Sequence, residues 1–379
     1  EIVAAFPQGV VVTAPRNTGR DTLADMEDAL VDWTLLRRAG KVFGSQSSSF
    51  GAEAAAASGA EFHVLFNAEQ PLNTDAGREI WGGFTGNYHL ATALKDDPAT
   101  ISEAIAAYNA ALADNPEHPM AGEALRDLGE AYLRAGRADA ALDSFERSVK
   151  LDPLSGHGWY NFGTVLLQQA NLQVGGASAL DAARKAASAL ENAIEHEETA
   201  AAWMNLAGAR MLAGSPATAL AAYERAESMR PGRAAAMTGR GQALTELGRW
   251  TEAAAAFEQA LEAAQTAEAP PERVRALTGL GRAQLRSGEA AAAASSLKAA
   301  CEAQGGTLSA PPGLRNDLAV ALLQSNRAQD AAQTWAELIA EQGGADASVW
   351  ANYAHSLDAI GRHAEAEDAR RRVAAAPRA

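Results

Sequence analysis

The segment "ALRDLGEAYLRAGRADAALDSFERSVKLDP", residues 124–153, constrains this chain more than any other. Leu125, Leu128, Gly129 and Tyr132 fall on one face of a helix, and Gly136 breaks that helix. Ala141, Phe145 and Ser148 then stripe a second helix that ends before Pro153. The unit is a helix-turn-helix, and its alternation of large and small residues returns in register along the chain. A lone helix pair cannot cover its own apolar face, so copies must stack on their neighbours. The abundance of alanine in a chain that is 47% apolar but only 6% aromatic fits such close helix packing.

A second copy carries Trp159, Phe162, Gly163 and Leu166, then Ala186, Leu190 and Ala193. The third carries Trp203, Leu206 and Ala207, then Ala219, Tyr223, Ala226 and Pro231. The fourth runs Met237, Gly241, Leu244, Gly248, Ala253, Phe257, Ala260, and the fifth Leu277, Leu280, Gly281, Gly288, Ala293, Leu297, Ala300. Weaker copies hold Leu318, Ala319, Leu322, Ala331 and Trp335, and then Trp350, Tyr353, Ala354, Leu357, Gly361 and Ala366. Upstream, Tyr88, Ala104, Tyr108, Ala111 and Pro116 mark one more.

This order of Trp, apolar, Gly, then Ala, aromatic, Ala, then Pro, at a period close to 34 residues, resembles the tetratricopeptide (TPR) family. The expected fold is mainly α, a TPR helical-hairpin solenoid of about eight repeats over residues 85–379. The resemblance implies an interaction scaffold whose first helices line a concave groove for an extended peptide or a partner helix.

Within that groove, the residue two before the first small position is Asp127, Asn161, Asn205, Asp317 and Asn352 in five copies, with Gly239 and Gly279 in two others. Asn offers both a donor and an acceptor to an extended backbone. Arg126, Tyr160, Thr164 and Met204 flank these positions and complete the candidate peptide-binding set. The alternative is that the Asn residues of "WYNFG" and "WMNLA" bond the next helix pair. In the second copy Gly163 and Ala186 stand eleven residues farther apart than Gly129 and Ala141. Eleven residues are close to three helical turns, so the insertion reads either as a longer loop or as a protruding helical pair turning at Gly175 and Gly176.

The first 65 residues follow a different pattern. "GVVVTAP" (9–15), "KVFGS" (41–45) and "EFHVL" (61–65) read as strands, separated by helices over 21–39 and 49–59. Strands alternating with helices predict a small parallel-strand, Rossmann-like α/β segment, followed by a linker over 66–84. Ligands in such sheets sit beyond the carboxyl ends of the strands. Ser45–Ser49 lie there, leading into a helix start that is either a plain N-cap or an anion site.

"DALVDWTLLRRAGKVFGSQSSSFGAEAAAASG", residues 28–59, is similar to the last nucleotide-binding segment of the protein O-fucosyltransferase and α-1,6-fucosyltransferase group. The resemblance implies Asp32 as an acidic helix residue and Ser48, Ser49 and Phe50 as a turn at the nucleotide of GDP-fucose. Pro15 and Arg16 stand where that family shows an acidic stretch, and its arginine motif for the departing diphosphate has no counterpart here. The segment is therefore expected to be the tail of a larger glycosyltransferase domain, with the repeats selecting the acceptor protein. The opening Glu-Ile-Val, with neither Met nor a signal-peptide pattern, adds the expectation of a fragment or processed product.

A balance of 47 acidic against 32 basic residues, net −15, opposes nucleic acid and anionic membranes as partners. No apolar run is long enough for a spanning helix, and a cytoplasmic protein is expected. The single Cys301 makes neither a disulfide nor a multi-cysteine metal site. No Walker loop, His-Glu-x-x-His, Cys-x-x-Cys or G-x-S-x-G motif is present. His355, His363 and the run Arg370–Arg372 read as surface residues, the arginines complementing a helix C-terminus. No catalytic residue, metal or cofactor is expected.

Overall fold

In the computed structural model the described residues are 41–45, 61–66, 83–173, 176–266, 270–342 and 346–375. Contacts divide the chain into two compact units, Glu1–Arg137 and Ala138–Ala379, and the division falls within the repeat array.

In the first unit, strands β1 (Lys41–Ser45) and β2 (Glu61–Phe66) pair in parallel, with Lys41 opposite Glu61 and Phe43 opposite His63. These are the second and third expected strands; the first strand and both expected helices lie outside the described residues. One strand pair does not make a Rossmann-like domain, and the nucleotide-binding character read from the sequence gains no support from it.

Three helices follow, α1 (Gly83–Leu94), α2 (Ile101–Asp114) and α3 (Ala121–Arg134). Phe84, Tyr88, Ala91, Tyr108, Ala111, Leu125 and Leu128 form their common core. Phe84 stacks on His118 with ring centroids 4.0 Å apart, and its backbone N–H donates to Asp114 at 2.9 Å.

The second unit holds α4 (Ala138–Leu151) and six hairpins. They are α5 (Gly156–Leu172) with α6 (Ala177–His196), α7 (Ala200–Leu212) with α8 (Pro216–Met229), and α9 (Ala234–Glu246) with α10 (Trp250–Thr266). The remaining three are α11 (Pro270–Ser287) with α12 (Ala290–Ala303), α13 (Pro312–Gln324) with α14 (Ala328–Gln342), and α15 (Ala347–Ala359) with α16 (His363–Ala375). Within this unit each helix packs on the next in sequence, the one-dimensional stacking that a repeat array requires.

The repeat's small residues are where backbones come together. Ala207, Ala219, Ala243, Ala253, Ala283, Ala293, Ala319 and Ala331 are all fully buried. At Gly163 an added Cβ would lie 2.7 Å from Leu190 Cγ, and at Gly281 2.5 Å from Leu297 Cγ. Turns within hairpins use left-handed residues, and between α13 and α14 the role falls to Asn326, at φ 60 the one non-glycine with positive φ among the described residues.

The insertion is helical. α5 has 17 residues and α6 has 20, against 13 and 14 in α7 and α8. Ala170, Ala182 and Ala183 pack the added length with Ala213, which favours the protruding pair over the longer loop. Leu172 at its tip is 82% exposed.

Candidate protein-interaction groove

In the second unit each first helix also touches the next first helix, through α5, α7, α9, α11, α13 and α15, while successive second helices make no comparable contact. Helices that close in on one side place that side on the inside of the curve, so the first helices line the inner face. Positions three, four and seven apart on each of them share this face.

The predicted ladder residues differ in what they do. Asn205 Nδ2 donates to Thr164 Oγ1 at 2.9 Å and to Tyr160 Oη at 3.4 Å. Asn205, Tyr160 and Thr164 thus form one cross-helix cluster on α5 and α7, each half-buried. Asn205 therefore ties its pair to the preceding one, where the alternative weighed for these asparagines had them bond the next pair. Asn161 is half-buried on α5. Asp317 on α13 receives Arg282 Nε from α11 at 2.6 Å, the same step from ladder position to the residue three beyond it in the preceding copy. Asn352 on α15 is half-buried, and no side-chain hydrogen bond to it is found among the described residues.

Asp127, in the first unit, is not open to a ligand. It is 3% exposed and binds Lys95 Nζ at 3.2 Å, Arg126 Nη2 at 2.9 Å, Tyr108 Oη at 3.4 Å and Tyr88 Oη at 3.5 Å. Arg126 is held in turn by Glu123 at 3.1 Å. A buried carboxylate between two cations and two phenols supports the repeat from inside, so Asp127 and Arg126 leave the candidate groove set.

Gly239 and Gly279 interrupt the ladder for a steric reason. A Cβ at Gly239 would lie 2.4 Å from the Tyr223 ring, and one at Gly279 2.4 Å from the Phe257 ring. In both cases an aromatic from the preceding second helix occupies the space of a side chain.

Where the ladder gives out, a cavity opens. About 640 Å³ lies over α9, α11 and α13, lined by Thr245, Arg282, Leu285, Arg286, Asp317, Val320 and Gln324. A second cavity of about 280 Å³, between α9 and α11, is lined by Gln242, Glu246, Val274, Arg275 and Thr278 among others. Reasoning from the sequence missed Arg282, Arg286 and Val320, whose signal was an offset of three or seven from the ladder position, the same helical stripe; Thr245, six residues beyond Gly239, falls off that stripe and carried no such signal.

Among the described residues no three His, Cys, Asp or Glu side chains gather as a metal site, and no helix is long and apolar enough to cross a membrane. Asp32, Ser48, Ser49 and Phe50 lie outside the described residues.

Stacked helical hairpins with small residues at each crossing define a helical repeat protein. Residues 101–156, 160–234, 211–268 and 238–306 match the Tetratricopeptide repeat family, together more than half of the chain. The chain belongs to the tetratricopeptide repeat family. No curated protein matches the sequence. Among solved structures it is similar to MamA, at 27% identity over 45% of this chain and 92% of that one, TM-score 0.39. YrrB, described as a TPR protein with an unusual peptide-binding site, matches at 18% identity over 52% of this chain and 92% of its own, TM-score 0.42. A chain of the APC/C hetero-tetramer Cut9-Hcn1 matches at 15% identity over 92% of this chain and 59% of its own, TM-score 0.46.

Proposed function

We propose that this chain is a protein-interaction scaffold that holds an extended peptide or a partner helix against the inner face of its first helices. The observation that carries the reading is the make-up of that face in the second unit. Half-buried Tyr160, Thr164, Met204 and Asn205 give way to two cavities with charged and aliphatic walls. Such a mixture of apolar ground and a few fixed polar groups suits a bound chain segment.

Gly208 provides the test. It sits on α7, three residues beyond Asn205, and a Cβ there would meet only Leu167 Cδ2, at an ordinary 3.7 Å. Gly208→Trp therefore obstructs the face without overpacking the helices. Peptides selected from a displayed library on the whole chain are expected to lose binding to this variant while its helicity stays unchanged. Retention of every selected peptide would overturn the reading.

The second reading, sugar transfer from GDP-fucose by a longer protein whose repeats select the acceptor, rests on the sequence resemblance of residues 28–59 alone. The family matches begin at residue 101, and nothing in the repeats' geometry bears on a nucleotide sugar. Calorimetric titration of the chain with GDP-fucose is expected to give no heat, and saturable heat lost in Ser48→Ala with Ser49→Ala would restore that reading.

A further inference from the structure

The charges of the second unit are segregated between the two helices of each pair. First helices α5, α7, α9, α11, α13 and α15 carry seven arginines against four Asp or Glu. Second helices α4, α6, α8, α10, α12, α14 and α16 carry nine Lys or Arg against eighteen Asp or Glu. The first helices of a strongly acidic chain are thus net cationic, and four of the seven arginines, Arg273, Arg275, Arg282 and Arg286, stand on α11 alone.

Two of these four line the 640 Å³ cavity. Arg282 is 55% exposed while paired with Asp317, and a guanidinium with five N–H donors can accept a second carboxylate. Arg286, one helical turn on, is exposed and lies over the Trp250 ring at 6.0 Å. No carboxylate partner for it is found among the described residues. Leu285 and Val320 supply the aliphatic wall between them.

We propose that this cavity receives an acidic side chain of the partner segment, its carboxylate bridging Arg282 and Arg286 while a neighbouring aliphatic residue rests on Leu285 and Val320. The proposal rests on the reading of the inner face as a peptide site, and it names the partner's chemistry: an extended acidic and aliphatic peptide. Two arginines beside aliphatic walls, flanked by acidic second helices, match one or two carboxylates; a nucleic-acid backbone would call for a longer basic track.

The test is fluorescence anisotropy on the whole chain with two labelled peptides, repeats of Gly-Glu-Leu and repeats of Gly-Lys-Leu. The Glu peptide is expected to bind at least about tenfold more tightly, with an affinity that falls as salt rises. Arg286→Glu is expected to reverse the preference and Arg286→Gln to weaken the Glu peptide. Lys298→Glu, the same charge change on second helix α12, is expected to leave both unchanged. Equal binding of the two peptides, indifference to Arg286→Glu, or displacement of the Glu peptide by an oligothymidylate would overturn the acidic assignment alone. Failure of both peptides to bind would overturn it together with the inner-face reading.

Discussion

The ring of Phe257 covers the α-carbon of Gly279 so closely that a Cβ there would lie 2.4 Å from Cε1 and Cζ. The same ring also lies against Gly241, where a Cβ would fall 2.8 Å away. Phe257 is thus held between the first helix of its own copy and that of the next. Gly279→Ala is expected to cost about 1–3 kcal/mol through overpacking, read as a lower urea midpoint. Phe257→Leu in the same chain should recover part of the loss, because the two sites share one contact.

In the first unit, Asp127 is the only carboxylate that joins α1, α2 and α3 through Tyr88, Lys95 and Tyr108 among the described hydrogen bonds. Asp127→Ala removes the carboxylate that Lys95 and Tyr88 bind and one of the two partners of Arg126 and Tyr108, which keep Glu123 and Thr92 respectively. Lys95 and Arg126 keep 21% and 20% exposure, so water relieves them in part and the loss should sit near about 3 kcal/mol, the low end for a broken buried pair. Cooperative unfolding followed by circular dichroism measures it.

The same cluster gives a pH signature. Burial pushes the Tyr88 and Tyr223 phenols above their usual range and does the same to Tyr108, and the charge of Asp127 raises Tyr88 and Tyr108 further. A phenol that keeps its proton longer when folded lends stability fully present below the unfolded value of about 10. That stability is lost as pH rises through the folded values. Spectrophotometric titration should show late-ionising tyrosines in the native chain. Asp127→Asn should bring forward Tyr88 and Tyr108 but leave Tyr223 where it is.

These relationships show what the sequence could and could not disclose. The repeat was legible because overpacking forbids bulk at each crossing, so positions such as Gly163, Ala207 and Gly281 had to stay small. The strand runs 41–45 and 61–65 were legible from their β-branched and aromatic residues, and the structure pairs them. The ladder positions were legible, but their partners were not: whether Asn205 meets a ligand or Thr164 depends on how α5 leans on α7. Arg282 and Arg286 lay unread because they become neighbours of Asp317 and Gln324 only when α11 stacks on α13. The glycines at 239 and 279 looked like gaps, since the rings that fill them come from the preceding second helix.

Asp346 caps α15, its carboxylate accepting from Ser348 Oγ at 2.7 Å and from the Val349 N–H at 3.0 Å. Those bonds, the Ser348 hydroxyl first and then the Val349 N–H, hold its carboxyl below the ordinary range. Its contribution is present above the unfolded carboxylate value and is lost as pH falls through the lowered folded one. Asp346→Ala should cost about 1 kcal/mol. Hydrogen exchange should accelerate in α15 and α16 and remain unchanged in α5 to α8, since repeats couple chiefly to their neighbours.

Arg315 is 1% exposed, yet it reaches only Glu341 through Nη1, and its Nε and Nη2 have no partner among the described residues. Cys301, fully buried, shares its surroundings: burial pushes the thiol up, and the Arg315 charge opposes that shift. Dry guanidinium N–H groups are costly, and one pair to a Glu341 carboxylate that is 58% exposed offsets little of it. Arg315→Met, similar in length and apolar, is therefore expected to stabilise the chain by about 1 kcal/mol, within the range seen when buried ions are replaced by packed hydrophobes. With the cation gone, the thiol should also titrate higher. Reaction of Cys301 with a disulfide reagent is expected to be slow in the native chain, slower still in Arg315→Met, and fast for both in denaturant. A clear loss of stability in Arg315→Met would show that the guanidinium is satisfied where it lies and that its charge helps to hold α13 on α14.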